Sequence, residues 1–459
     1  MRITTVRSEG LAQLSYFVSS DGEAMIIDPR RDVDIYLKLA AESQTQITHV
    51  FETHRNEDYV IGSLEIKYHV PSVQIAHSKE TGFKYGDVSI AHQDSFRIGD
   101  MRVTCLHTPG HTDDSICYLV ADISVSQIPL LMFTGDTLFV GEVGRTDLVD
   151  NKKIEIMSRK LYNSLKEEIL PLVDGIVIHP GHGAGSVCGG NIGKRDFSTL
   201  GYERINNPWL SLEEEDFVRL KLNQKLTLSD YFKHCERLNT IGPPIVAEQP
   251  MPRALDPNAF EALMEKPGHV VVDTRAPDFF VCGHIPGAIN TPLKEMGQFV
   301  GWVLDQEDNY LLVLERAEDL EQARNYLLRV GFDSVVAYLA TGMDGWYDSG
   351  KPRGILRTIS LAELKLGMES GKIEMIDVRQ PHEQGKEFIE KSTFLPLTNL
   401  EREQGNIDKS GQKVTMCPRG VRATVAASIL KREGHENVSV ALDGIKGWKK
   451  SGYPIKAAE

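Results

Sequence analysis

The chain reads as a multidomain α/β protein, and two patterns predict this. In the first 190 residues, short segments carrying His, Asp and Gly each follow an apolar run of strand type. In the second half, a stretch about the size of one small α/β domain occurs twice. At 459 residues there is room for about three domains. The expected division is a first domain over 1–240, a linker over 241–256, a second domain over 257–355 and a third over 356–459.

The first domain is read from five segments. They are Thr53-His54-Arg55-Asn56-Glu57-Asp58-Tyr59, Thr108-Pro109-Gly110-His111, Thr134-Gly135-Asp136, Gly144-Arg145-Thr146-Asp147 and Pro180-Gly181-His182-Gly183. The four with metal-ligand residues follow Ile47–Phe51, Val103–Leu106, Leu130–Phe133 and Ile176–Ile178, so strand ends bring them to one rim of a sheet core. His54, His111 and Asp136 make two imidazoles and one carboxylate, the ligand set of a mononuclear non-haem Fe(II) centre that activates oxygen. The same set also carries catalytic zinc, which stands as a substitute. A second ion would need Asn56, Asp58, Tyr59 and His182. Neutral Asn is a weak donor and Tyr must first lose a proton of pKa about 10, so one ion per chain is expected. Asp58, His182 and Tyr59 are then read as groups around the ligands. His49, His69 and His107 match no motif and are read as structural.

The second half is a duplication. Val271-Val272-Asp273-Thr274-Arg275-Ala276-Pro277 echoes Met375-Ile376-Asp377-Val378-Arg379-Gln380-Pro381, and Gly342–Pro352 echoes Gly444–Pro454 with Trp346 matching Trp448. The Pro-rich stretch Leu238–Pro257 is the first linker, with Asp256 as N-cap and Pro257 at the first helical position. A second linker near Gly350–Arg357 precedes Ser360-Leu361-Ala362-Glu363, a capping box that opens the last domain.

Composition excludes several classes. A net charge of −14 speaks against nucleic acid or an anionic membrane as main partner. No apolar run approaches a membrane span, and the first residues lack a long apolar signal, so a cytoplasmic protein is expected. Six Cys without paired spacing read as reduced thiols. Cys105, Cys117, Cys235 and Cys282 are expected to be structural. Cys188, directly after the His182 segment, is placed near the metal mouth with a role in sulfur handling.

The five segments and their order resemble the metallo-β-lactamase fold family, whose first segment normally reads His-x-His-x-Asp-His. Asn56 and Tyr59 depart from that pattern. The resemblance implies an αββα sandwich. The two repeats resemble rhodanese domains, in which the loop after the central strand decides activity. In the second repeat Lys413–Met416 is that strand, Cys417-Pro418-Arg419-Gly420-Val421-Arg422-Ala423 the loop, and Thr424–Leu430 a helix. N–H groups curled at that helix start should lower the Cys417 thiol towards a thiolate that carries sulfane sulfur, with Arg422 and Arg419 holding an anionic donor or acceptor. In the first repeat Glu315 follows the strand Leu311–Leu314, so that repeat is expected to be catalytically silent.

Taken together, the chain resembles the persulfide dioxygenase–rhodanese fusions of bacterial sulfide detoxification. This resemblance implies iron on His54, His111 and Asp136, substrate contacts at Arg145, Thr146 and Asp147, and a low-molecular-weight thiol persulfide oxidised by O₂ to sulfite. The rhodanese would join sulfite to a sulfane sulfur, giving thiosulfate. Arg145 is assigned a substrate carboxylate. A homo-oligomer is the expected assembly. Two other classes stand beside this: a glyoxalase II-like thioester hydrolase, disfavoured by the missing second-site ligands, and a non-enzymatic sulfane-sulfur carrier, disfavoured by the intact triad.

Overall fold

The computed structural model describes residues 1–148, 151–224 and 226–457, and the chain divides into two compact units, Met1–Gln249 with Leu328–Gly331, and Pro250–Leu327 with Phe332–Glu459.

In the first unit two six-stranded sheets form in chain order. Arg2–Ser8, Gln13–Ser20 and Glu23–Ile27 are antiparallel neighbours, followed by Gln46–Phe51, Gln74–Ser78 and Val88–Ile90, each parallel to the one before. The other sheet runs Ser95–Ile98, Met101–His107, Ile116–Asp122, Leu131–Gly135, Val177–Pro180, Ser198–Thr199. Period-two alternation along each strand sorts the side chains into layers. Leu14, Tyr16, Val18, Met25 and Ile27 meet Val103, Cys105, Tyr118, Val120, Leu131 and Phe133 in the core between the sheets. The intervening residues point outwards: Phe17, Ala24 and Ile26 pack under Tyr36 and Ile66 of two helices. On the opposite side Cys117, Leu119 and Met132 pack under Leu161, Leu165 and Phe217. The layers are helix, sheet, sheet, helix, as the resemblance implies.

The second unit holds two parallel five-stranded sheets of one topology. The first orders Arg253–Leu255, Val335–Leu339, Asn309–Val313, His269–Asp273, Ile289–Asn290; the second orders Arg357–Thr358, Val438–Val440, Gln412–Met416, Ile373–Asp377, Thr393–Phe394. The echoed residues make echoed contacts. Arg275 forks onto Asp273, with Nη2 to Oδ2 at 2.6 Å, and Arg379 does so onto Asp377 at 2.7 Å. Trp346 donates its indole N–H to Pro352 O at 2.8 Å, and Trp448 to Pro454 O at 2.9 Å. Asp256 caps its helix with Pro257 inside the first turn, and Ser360 and Glu363 form the capping box. The linker expected over 241–256 ends earlier than the Pro content suggests, because Arg253–Leu255 pairs with Ala337–Leu339 as an edge strand. An edge strand tolerates flanking prolines, since only one of its sides needs donors.

Candidate functional site

All four ligand segments lie just beyond the last residues of their strands, and all four side chains are buried. The ligand atoms of His54, His111 and Asp136 lie within 4.8 Å of one another. His111 Nε2 stands 3.5 Å from Asp136 Oδ2, and the two imidazole centroids are 4.9 Å apart. The outer ring nitrogens fix the tautomers. The Thr53 hydroxyl donates to Asp28 Oδ2 at 2.7 Å, so its oxygen accepts from His54 Nδ1 at 2.9 Å. His111 Nδ1 donates to the Arg145 carbonyl at 3.0 Å. Each Nε2 is therefore the nitrogen turned inward, and both are buried without a hydrogen-bond partner. Orphaned nitrogens facing a buried carboxylate are costly unless a cation joins them, so these residues fit a metal ion. Close backbone approach makes the fit: a Cβ on Gly144 would lie 2.1 Å from Asp136 O, and one on Gly181 would lie 2.6 Å from Asp136 Oδ1.

The residues of the missing second site are occupied with each other. His182 Nδ1 meets Asp136 Oδ1 at 2.8 Å and its Nε2 meets Asp58 Oδ2 at 3.1 Å. Burial pushes His182 down, but Asp136 and Asp58 outweigh it and raise the ring well above its ordinary value. Asn56 Nδ2 donates to His54 O at 3.2 Å. Tyr59 is buried, and burial followed by the charges of Asp28, Asp58 and Asp136 raises its hydroxyl far above the usual range. Cys188 is also buried, its Sγ 3.3 Å from Glu57 Oε1, and burial with the nearby carboxylates raises the thiol well above its usual value.

Arg145 corrects an expectation. Its guanidinium is 1% exposed and already engaged, with Nε and Nη2 on Asp147 at 2.6 and 2.8 Å, and Nη1 on the carbonyls of Val187 and Thr227. Four of its five N–H groups are thus taken up within the protein. Arg145 instead ties the loop that carries Cys188, and its own carbonyl orients His111. Thr146 is buried as well, its hydroxyl 2.9 Å from that of Ser158.

In the last repeat the loop after the central strand behaves as expected in shape and not in charge. Gly420 starts the helix Val421–Arg432 at φ 84°, and the Ala423 N–H donates to Cys417 Sγ at 3.4 Å. Burial nevertheless dominates and pushes the Cys417 thiol up; the N–H groups of Arg419, Ala423 and Gly420 and the charge of Arg422 offset only part of this. Arg422 is forked onto Glu383 at 2.5 and 2.9 Å rather than left open for an anion, while Arg419 is exposed. In the first repeat Glu315 is exposed at an open pocket of about 370 Å³ that also includes Arg275, Tyr338 and Asp344.

Comparison with known proteins agrees with this architecture. The Metallo-beta-lactamase superfamily model matches residues 9–182, and the Rhodanese-like domain model matches 256–349 and 360–451. A crystal structure of a metallo-beta-lactamase from Staphylococcus aureus subsp. aureus COL is 30% identical with a TM-score of 0.65, covering 74% of this chain and 98% of that one. This chain belongs to the metallo-β-lactamase superfamily. Its metallo-β-lactamase domain is followed by two rhodanese-like domains. Persulfide dioxygenase ETHE1, mitochondrial, of Mus musculus is 28% identical over 209 residues, 44% of this chain and 73% of that protein. Probable hydroxyacylglutathione hydrolase glo2 of Schizosaccharomyces pombe is 30% identical over 156 residues, 34% of this chain and 56% of that protein.

Two site residues of the metallo-β-lactamase domain escaped the sequence reading. Asp28 accepts from both N and Oγ1 of Thr53 and so orients His54, yet no motif marks it beyond a polar residue after an apolar run. Glu57 lies in the first segment at a position where the family pattern allows any residue. It is 1% exposed, with Oε2 3.6 Å from His111 Nε2 and 3.9 Å from His54 Nε2.

Proposed function

We propose that the metallo-β-lactamase domain oxidises a low-molecular-weight thiol persulfide with O₂, at one iron ion held by His54, His111 and Asp136. The rhodanese-like second repeat then transfers sulfane sulfur through Cys417. The balance takes RSSH, O₂ and H₂O to RSH, sulfite and two protons. A second RSSH passes its outer sulfur to Cys417 and leaves as RSH, and sulfite attack on that outer sulfur releases thiosulfate and the Cys417 thiolate. Iron(II), when bound, supplies the one-electron chemistry that lets O₂ react with a closed-shell sulfur compound.

The observation that carries this reading is the contrast within one rim. Two unpartnered imidazole nitrogens and the Asp136 carboxylate, which also accepts from His182 Nδ1, converge there, while Asn56 is a neutral amide turned to His54 O, Tyr59 is kept protonated, and His182 is paired with Asp58. A hydrolase that activates water between two ions needs that second set free. The likeness to a persulfide dioxygenase supports the reading, and the likeness to a hydroxyacylglutathione hydrolase supplies its competitor.

Metal analysis after anaerobic Fe(II) loading, combined with oxygen-electrode assays on a thiol persulfide, tests it. About one iron per chain is expected, together with persulfide-dependent O₂ uptake that Asp136→Asn and His54→Ala each abolish. Two tightly held ions with thioester hydrolysis and no O₂ uptake would overturn it. The second ion would then sit on Asp58, His182 and Cys188, whose ligand atoms also lie within 4.8 Å of one another.

A further inference from the structure

We infer that Glu57 is a fourth protein ligand of the metal, making the centre two imidazoles and two carboxylates. The inference rests on the metal-centre reading above and concerns a residue outside the triad. Glu57 is buried, and its Oε2 has no hydrogen-bond partner among the described residues. Its other oxygen, Oε1, accepts from Cys188 Sγ at 3.3 Å, which fixes the direction of the carboxylate. Oε2 thus projects towards the point that both Nε2 atoms face.

The distances discriminate between a ligand and a neighbour. Two atoms bound to one ion at about 2.1 Å each stand about 3.4 Å apart at a tetrahedral angle and at most about 4.2 Å apart. His111 Nε2 to Asp136 Oδ2 is 3.5 Å, His111 Nε2 to Glu57 Oε2 is 3.6 Å, and His54 Nε2 to Glu57 Oε2 is 3.9 Å. Glu57 Oε2 therefore stands from His111 Nε2 at a distance like that of Asp136 Oδ2, and slightly farther from His54 Nε2. Two carboxylates make the filled centre neutral with a divalent ion.

Co(II) serves as the probe, in chelator competition and visible absorption on the full chain. The unaltered protein is expected to bind one Co(II). Glu57→Gln keeps the shape and the contact to Cys188, and it should weaken binding about 10- to 100-fold with a changed visible spectrum. Glu57→Asp keeps the charge and withdraws the oxygen by one methylene, and should weaken binding similarly. If both variants bind within two-fold of the unaltered protein with its spectrum, Glu57 is no ligand. If Glu57→Asp alone binds normally, its effect is long-range charge and the inference also fails. An unaltered protein that binds no Co(II) would overturn the metal centre itself, a result distinct from either of these.

Discussion

At the residue scale, His179 shows burial acting on a titratable ring without a partner. It lies against Tyr16 and Phe133 with centroids 5.2 and 5.3 Å away, and neither ring nitrogen has a hydrogen-bond partner among the described residues. Burial alone holds its pKa down at about 4. The unfolded ring titrates near 6.5, so the neutral folded ring contributes stability that is present above pH 6.5. That contribution is lost as pH falls towards about 4, in total about 3 kcal/mol. Chemical denaturation at pH 7 and pH 5 measures it. His179→Phe keeps the ring stack without the titration, and its stability should fall less between those pH values, by about 2 kcal/mol. Equal losses in both proteins would assign the pH dependence to other groups.

At the element scale, the loop that presents Cys417 is held from below by the start of a neighbouring helix. Gly444 has φ 60°, and a Cβ there would lie 2.3 Å from Cys417 O. Ile445 and Lys446 donate their N–H groups to the carbonyls of Cys417 and Pro418. The matching Gly342 of the first repeat has φ 59° but nothing closer than Leu314 O at 4.0 Å. Gly444→Ala should therefore displace the Cys417 loop and lower thiosulfate formation at least about ten-fold, beyond the roughly 1–3 kcal/mol of backbone strain common to both sites. Gly342→Ala should bear the strain alone and leave sulfur transfer unchanged. Parallel thermal unfolding and thiosulfate assays separate the two effects. Equal activity in both variants would mean that the loop does not depend on this clamp.

At the scale of the whole molecule, the proposed chemistry assigns different steps to different domains. Cys417→Ser should leave iron content and O₂ uptake intact while the product shifts from thiosulfate to sulfite, because Ser forms no persulfide. Glu315→Ala should alter neither step. Chromatographic quantification of sulfite and thiosulfate decides this, and unchanged thiosulfate from Cys417→Ser would move the sulfur-joining step elsewhere, with Cys188 next in line. Within the second unit the first repeat packs on the second, since its Asn290 N–H donates to Ser428 Oγ at 3.0 Å, on the helix behind Cys417. No described helix is long and apolar enough to cross a membrane.

By itself the sequence determined the strand-end placement of His54, His111 and Asp136 and the duplication, which are legible as residue pattern, while the layered architecture followed from the resemblance those patterns carry. Strand alternation is periodic, capping at Asp256 and Ser360 is local, and ligands at strand ends share a rim by topology. What only the tertiary structure decided is which polar groups remain free. Arg145 and Arg422 read as open anion anchors, yet Asp147 and Glu383 take them up. The Cys417 loop reads as a thiolate cradle, yet burial outweighs its N–H groups. Glu57 occupies a position the motif leaves blank, and its significance comes from the direction of one carboxylate oxygen. Residue type and spacing specify which groups can converge. Partner choice and desolvation depend on atoms distant in the chain, and those set the charge each group carries.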